Sequence, residues 1–342
     1  MQLKPIAGQV VVVAGASSGI GRETALEFAR RGAKLVVAAR GEKGLETLVQ
    51  EIRAGGGEAI SVVADVSEFE RVKAIADRAV ETYGRIDTWV HAAATGIFAP
   101  FDEMTPEEFK RVIDVNLMGQ VYGAMVALPH LKREGKGALI HISSIEGRRA
   151  LPLQSAYASS KHGIEGFLEA LRLELKHEGI PISVTSIKPG VINTPFYNNA
   201  LTKIGVKPKA IPPFYQPSLV VDSILYAAEH PTRDMIISDA GKILDVAQRI
   251  SPGLVDSLLL LVGFPGQRTD EPKSPSDPHN VYEPTDDNRV KGDFDHLAIP
   301  SFLDWFDRHP TTTALVVGAA VAAVSLLAIG WGKTDPSTIS RL

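Results

Sequence analysis

Residues 10–21 read Val10-Val11-Val12-Val13-Ala14-Gly15-Ala16-Ser17-Ser18-Gly19-Ile20-Gly21, and the reading of this stretch decides the fold. The first five are apolar and mostly β-branched, the make-up of a buried strand. Three glycines follow, spaced G-x-x-x-G-x-G, and the segment from Arg22 to Arg31 has helical character and ends at Gly32. Strand, glycine turn and helix in that order are the setting in which a glycine cluster means dinucleotide binding. Glycines remove β-carbons from the turn, so backbone N–H groups and the positive helix end can face a pyrophosphate. A tight turn and nothing more is the plain alternative, and the spacing differs from the general G-x-G-x-x-G fingerprint. On the first reading Gly15, Ser17, Ser18, Gly19, Ile20 and Gly21 hold a nucleotide.

Moving outward, a second strand is expected at 34–39, at the distance a βαβ unit requires. A carboxylate at its end would bond the ribose 2′-hydroxyl of NAD. This chain places Arg40 there, which suits a 2′-phosphate through charge-assisted bonds, with the Ser17 hydroxyl nearby. NADP(H) is therefore expected in preference to NAD(H). Strand-like runs at 59–63, 88–92, 138–142, 182–187 and 235–238 alternate with helical stretches at 20–31, 43–54, 69–83, 107–133 and 155–178. That alternation predicts an α/β fold, a doubly wound parallel sheet of about seven strands.

Tyr157 and Lys161 form Y-x-x-x-K, which on a helix stacks the ammonium beside the phenol. A phenol ionises near pH 10, too high for acid–base work at neutrality, and a neighbouring positive charge pulls that value down. Taken alone, the pair is commonly just a solvated helix face.

Together the glycine turn, Asp65-Val66, Asn116, Ser144, Tyr157-x-x-x-Lys161 and Pro189-Gly190 resemble, in that order, the short-chain dehydrogenase/reductase family. The likeness spans about residues 6–240. It implies that Tyr157 exchanges a proton with the substrate oxygen, while Lys161 lowers the tyrosine pKa and holds the nicotinamide ribose. Ser144 would bond the substrate oxygen, and Asn116 would kink its helix and hold a relay water. Asp65 and Val66 would meet the adenine. Pro189, Gly190, Val191 and Thr194 would lie along the nicotinamide, and Ala92 belongs with the cofactor contacts. Two departures stand out: Ala14 replaces the family's usual Thr, and His91-Ala92-Ala93-Ala94 replaces Asn-Asn-Ala-Gly. An altered but self-consistent contact between the two segments is expected, with His91 structural rather than catalytic. The family usually forms dimers or tetramers through the helices near 107–133 and 155–178, so a homo-oligomer is expected.

With 342 residues, no cysteine, a net charge of −4 and a pI near 6.2, the chain shows no nucleic-acid footprint and no thiol or Cys-type metal chemistry. No signal peptide is read at Met1-Gln2-Leu3-Lys4-Pro5. Aromatics within 192–216 either line an apolar substrate pocket or pack a lid onto the core. The expected organisation is a catalytic domain over 1–250, an apolar, interfacial or core helix over 251–264, and a flexible acidic linker over 265–310. A transmembrane helix at 311–332 and a short tail at 333–342 complete it. Ala314 to Trp331 carries no charge over 18 residues, about 27 Å of helix, with Trp305 and Trp331 placed for the two interfaces. The expected function is a membrane-anchored NADP(H)-dependent alcohol dehydrogenase or carbonyl reductase acting on a lipophilic small molecule. Its catalytic domain would lie on the cytoplasmic side. The alternative is a non-catalytic NADP(H)-binding sensor or scaffold.

Overall fold

Strand β1 (Val10–Ala14) is wholly buried and lies between two parallel neighbours, β2 (Lys34–Ala39) and β4 (Thr88–His91). With β3 (Glu58–Val63) outside β2, the full order is Asp234–Ile237, Ile182–Pro189, Gly137–Ile142, β4, β1, β2, β3. All seven strands run parallel. Such strands are buried on both faces, which is why the sequence shows apolar runs rather than strict alternation. The chain leaves β1 toward β2 on one side and returns to β4 on the other. This reversal opens a crevice at the carboxyl ends of the strands, where doubly wound sheets bind ligands.

Helices α1 (Gly19–Arg30), α2 (Glu42–Ala54) and Pro217–Glu229 cover one face, with Phe28, Leu48 and Ile224 in its core. On the other face pack α3 (Phe69–Tyr83), α5 (Gly119–Glu134) and α6 (Ser155–His177), with Ile75, Ala127 and Leu168 inside. The helix predicted over 107–133 is two segments, α4 (Pro106–Ile113) and α5, joined by a π-type turn at Asp114–Met118. Thr105 and Glu108 start α4 with a reciprocal capping box.

The structure, a computed structural model, describes residues 2–309, 312 and 313. It divides into two units, Met1–Ser301 and Phe302–Leu342. In the second, Leu303–Asp307 is a short helix. The expected membrane span at 311–332 and the tail at 333–342 lie outside the described residues, apart from 312 and 313. Among the described residues, only Pro106–Glu134 has the length and composition to cross a membrane, and half of its apolar window is buried inside the domain.

The flexible linker expected over 265–310 is corrected up to Ser301. Arg268–Pro272 forms a strand antiparallel to Val206–Pro208, and the chain then runs back across the mouth of the crevice. Its few apolar residues act as pegs: Val281 is fully buried, and Phe294 stacks on Phe214 with centroids 4.5 Å apart. Hydrogen bonds to its backbone supply the rest, and a hydropathy pattern does not register those. The catalytic unit therefore extends well past residue 250.

Candidate active site

A cleft of about 230 Å³ opens at the strand ends. Gly15, Ser17, Ser18, Gly19, Ile20, Gly21, Arg40, Asp65, Val66, Ala92, Pro189, Gly190, Val191 and Thr194 all line it. So do Ser144, Tyr157 and Lys161; Asn116 is fully buried and is not on its wall.

The glycine turn is dictated by contact. Gly15 has φ +88°, and a Cβ there would lie 2.3 Å from the Ala93 nitrogen. A Cβ on Gly21 would lie 2.0 Å from the Gly15 carbonyl oxygen. Ala92 N–H donates to the Ala14 carbonyl at 2.8 Å. The two departures from the family pattern therefore meet through backbone, with no hydroxyl. Ser18 caps α1 without a side-chain hydrogen bond, which leaves the helix's first amides for other acceptors. The Gly19 amide has found one: it donates to the Arg289 carbonyl at 2.9 Å.

Arg40 occupies the far end of the cleft, where its guanidinium donates to the carbonyls of Asn280, Val281 and Tyr282. Asp65 lies 4.0 Å away. Burial works to raise the Asp65 pKa, but bonds from Arg111 at 2.6 Å and from Ser67 outweigh it and hold the carboxyl below its usual range.

At the other end, Ser144 projects from the end of strand Gly137–Ile142, its Oγ accepting from the Glu146 amide at 3.0 Å. Tyr157 and Lys161 sit one turn apart on α6, the ammonium 5.3 Å from the ring centroid. Lys161 is buried and donates to the Ile142 carbonyl at 2.9 Å. Burial, only partly offset by Glu146 and Glu165, pulls its pKa down to about 7. Tyr157 is pushed upward, first by burial and then by Glu146, with a hydrogen bond to Ser144 acting the other way. Desolvation thus outweighs the lowering expected from Lys161.

Asn116 lies in the π-type turn, and its side chain bonds both backbone groups of Thr95: it accepts from the amide at 2.8 Å and donates to the carbonyl at 2.9 Å. It also reaches Ser160 Oγ at 3.2 Å, one position before Lys161. His91 is fully buried with neither ring nitrogen hydrogen-bonded, and burial, with His141 and Lys161 nearby, drives its pKa far down. It is a neutral core residue.

The lid aromatics divide between the two roles open to them. Phe196 and Tyr197 line the cleft, with Phe196 5.4 Å from Tyr157 between centroids, while Phe214 and Tyr215 are buried in the packing beneath. Sequence reasoning missed Glu146. Its carboxyl is buried on the cleft wall, its pKa raised by burial to about 8 despite a Leu151 amide bond and the Lys161 charge. Two positions after Ser144, in a short turn, it carried no signal. Asn280, Pro284, Thr285 and Asp287 of the returning segment were also missed.

Amide donors and an arginine at one end of a switch-point cleft, with Ser, Tyr and Lys at the other, define a dinucleotide-dependent oxidoreductase of the doubly wound class. Residues 9–204 match the family model described as short chain dehydrogenase, and the chain belongs to that family. It is 40% identical over 285 residues to the uncharacterized oxidoreductase YxnA of Bacillus subtilis, covering 83% of this chain and 80% of that one. Against 3beta-hydroxysteroid dehydrogenase 1 of Eggerthella lenta the identity is 39%, over 55% of this chain and 72% of the other. Among solved structures, an alcohol dehydrogenase of the archaeon Thermococcus sibiricus, complexed with 5-hydroxy-NADP, superposes with a TM-score of 0.59. Its identity is 26%, covering 67% of this chain and 95% of that one. The protein is thus an oxidoreductase of the short-chain family, and a nicotinamide dinucleotide is the cofactor typical of its kind.

Proposed function

We propose that the protein is an NADP(H)-dependent alcohol dehydrogenase or carbonyl reductase working on a lipophilic substrate at a membrane. The observation that carries this reading is the convergence of Ser144, Tyr157 and Lys161 on one cleft whose far end holds Arg40. The dinucleotide, when bound, supplies the hydride chemistry. The chain's part is orientation and the proton. Ser144 donates a hydrogen bond to the substrate oxygen. Tyr157 gives that oxygen its proton in the reducing direction and takes it back in the oxidising one. A tyrosine that stays protonated at neutral pH begins the reducing direction in the required state. Lys161 holds the ribose, and Asn116 and Lys161 pass the proton on toward solvent.

NADP(H) is favoured over NAD(H) by Arg40 and by the absence of a carboxylate at the end of β2; the archaeal relative's NADP analogue agrees with it. A lipophilic substrate is favoured by Phe196 and Tyr197 on the wall and by the steroid named for the Eggerthella enzyme. For membrane attachment the support is the uncharged run Ala314 to Trp331 and the apolar faces of helices Asp239–Ile250 and Pro252–Val262. A cytoplasmic catalytic domain suits the supply of NADP(H). Assembly into an oligomer would use the faces of α5 and α6, where Met125 and Leu173 are exposed. The non-catalytic sensor is the weaker reading, because a chain free of catalytic demand need not keep Ser144, Tyr157 and Lys161 together on one cleft.

The test is NADPH and NADH oxidation by the purified full chain against carbonyl compounds graded in length. Tyr157→Phe should cut turnover by about 10²–10⁴-fold while cofactor binding stays within about twofold. Arg40→Ala should weaken NADPH far more than NADH. Unchanged turnover in Tyr157→Phe would overturn the assignment.

A further inference from the structure

The segment Asn280–Phe294 crosses the dinucleotide cleft lengthwise, and the groups it touches are those a nucleotide needs. Arg289 offers its carbonyl oxygen to the Gly19 amide at 2.9 Å, at the first turn of α1. Three consecutive carbonyls, from Asn280 to Tyr282, fill the fork of Arg40. Gly44 at the start of α2 has no room for a Cβ because Asn288 Oδ1 would lie 2.2 Å from it. Asp287 lines the cleft, paired with Arg289 at 2.8 Å, and Asp286 faces Lys43 at 3.4 Å. The crossing thus presents oxygen acceptors and negative charge, which is what the dinucleotide itself would bring.

One amide hydrogen serves one strong acceptor, so a pyrophosphate oxygen and the Arg289 carbonyl exclude each other at Gly19. At Arg40 three carbonyls take up donors on both terminal nitrogens, so a 2′-phosphate meets a fork already partly filled.

The way the segment is fastened allows it to give way. Its ends are pegged: Val281 is buried, the Asn280 amide donates to the Asn199 carbonyl at 2.8 Å, and Asn193 accepts from the Phe294 amide at 3.0 Å. Between the pegs the chain is irregular and polar, with Tyr282, Glu283, Pro284, Asp286, Arg289 and Lys291 exposed. Segments with little apolar burial and solvent-exposed bonds are the ones that open locally.

We propose that this strap is a built-in competitor of the cofactor: between its pegs it occupies the Gly19 amide and, through the Tyr282 carbonyl, one arm of Arg40 until the dinucleotide displaces it, and so sets the rate and affinity of cofactor capture. The proposal rests on the reading of the cleft as an NADP(H) site. It also extends that site by a segment outside the residues matched by the family model.

Hydrogen exchange on the full chain, with and without saturating NADPH, tests it. Peptides within 280–292 should lose protection when NADPH binds, while those of β1 and α1 gain it. A gain within 280–292 would mean that the strap clamps the cofactor, and would overturn the competition. In a second arm, stopped-flow fluorescence follows NADPH binding to Phe294→Ala, which pulls one peg; its ring also meets Tyr197 edge-on, at the Tyr157 end of the cleft, and leaves Gly19 and Arg40 untouched. Capture about tenfold faster, with tighter binding, is expected; slower or weaker binding overturns the proposal. If neither protein binds NADPH or NADH while exchange shows an intact sheet, the nucleotide reading falls and takes the strap's role with it. A chain that binds cofactor but turns over no carbonyl leaves the strap standing and removes only the reductase.

Discussion

Glu146 is the residue whose chemistry the family comparison leaves unexplained, and it is open to direct test. Buried on the cleft wall, it acts on both Tyr157 and Lys161, raising the pKa of each. Its own folded-state value of about 8 stands above the ordinary 4.5. Between those two values the folded protein holds a proton that the unfolded chain has released. Stability must therefore fall as pH rises through this window, by about 1.4 kcal/mol per unit at most. Lys161 acts oppositely: with its value lowered to about 7, the unfolded chain binds the extra proton from there up to 10.5, and stability rises with pH. Glu146→Gln removes the first contribution and leaves the second. Thermal midpoints measured from pH 5 to 9 should decline less steeply between pH 5 and 7.5 in the variant than in the parent. Parallel curves would show that Glu146 is ionised throughout, and its influence on Tyr157 would have to be reassigned.

Among the elements, the strand–glycine turn–helix unit was legible because its constraint is local. Gly15 and Gly21 stand where backbone passes backbone and nothing larger fits, and Gly19 is held at a φ of +54°. Gly21→Ala should destabilise the domain by about 1–3 kcal/mol, since its new Cβ meets a carbonyl oxygen that has no side chain to swing aside. Gly166 provides the contrast: it is an exposed position of α6, and a Cβ added there would meet nothing within 4 Å. There an alanine should stabilise by about 0.5–1 kcal/mol through helix propensity alone. Thermal melts of the two variants check both signs together, and two shifts in the same direction would refute the contact argument. The distortion of the helix at Asn116 was expected from the family resemblance alone, and a π-type turn does fall there, at Asp114–Met118. That the partner of Asn116 is the Thr95 backbone was not readable, since the segment after β4 and the helix meet only in the fold. The strap was hidden for a related reason. Arg40 and Asn280 are separated by 240 positions, and the acceptors are main-chain carbonyls, which leave no mark on the sequence. Composition alone marked residues 265–300 as solvated linker, whereas two apolar pegs and a series of backbone bonds are enough to fasten them.

At the scale of the whole molecule, the remaining question is what meets the apolar surface that folding leaves behind. Ile243, Val246 and Ile250 form a stripe on helix Asp239–Ile250, and Leu254, Leu258 and Leu261 form another on Pro252–Val262, all more than half exposed. Their spacings of three, four and seven are those of one helix face. Monomeric soluble proteins rarely leave such a surface uncovered. This surface is also joined by hydrogen bonds to the Tyr157 end of the cleft. Gln267, just beyond the second helix, donates to the Pro152 carbonyl at 3.0 Å and accepts from Gln154 at 2.8 Å, and Gln154 lines the wall. If the stripes rest on lipid, a long-chain carbonyl compound dissolved in a bilayer has a short path to Tyr157. Replacing Leu258 and Leu261 together by Asp should then leave NADPH binding and turnover of a short, soluble carbonyl compound unchanged. Turnover of a long-chain carbonyl held in phosphatidylcholine vesicles should fall by about tenfold, the equivalent of about 1.4 kcal/mol. Kinetics with and without vesicles give the first half of the answer, and sedimentation equilibrium gives the second. A variant that keeps its vesicle kinetics but halves its mass in solution would assign the stripes to a second copy of the chain instead.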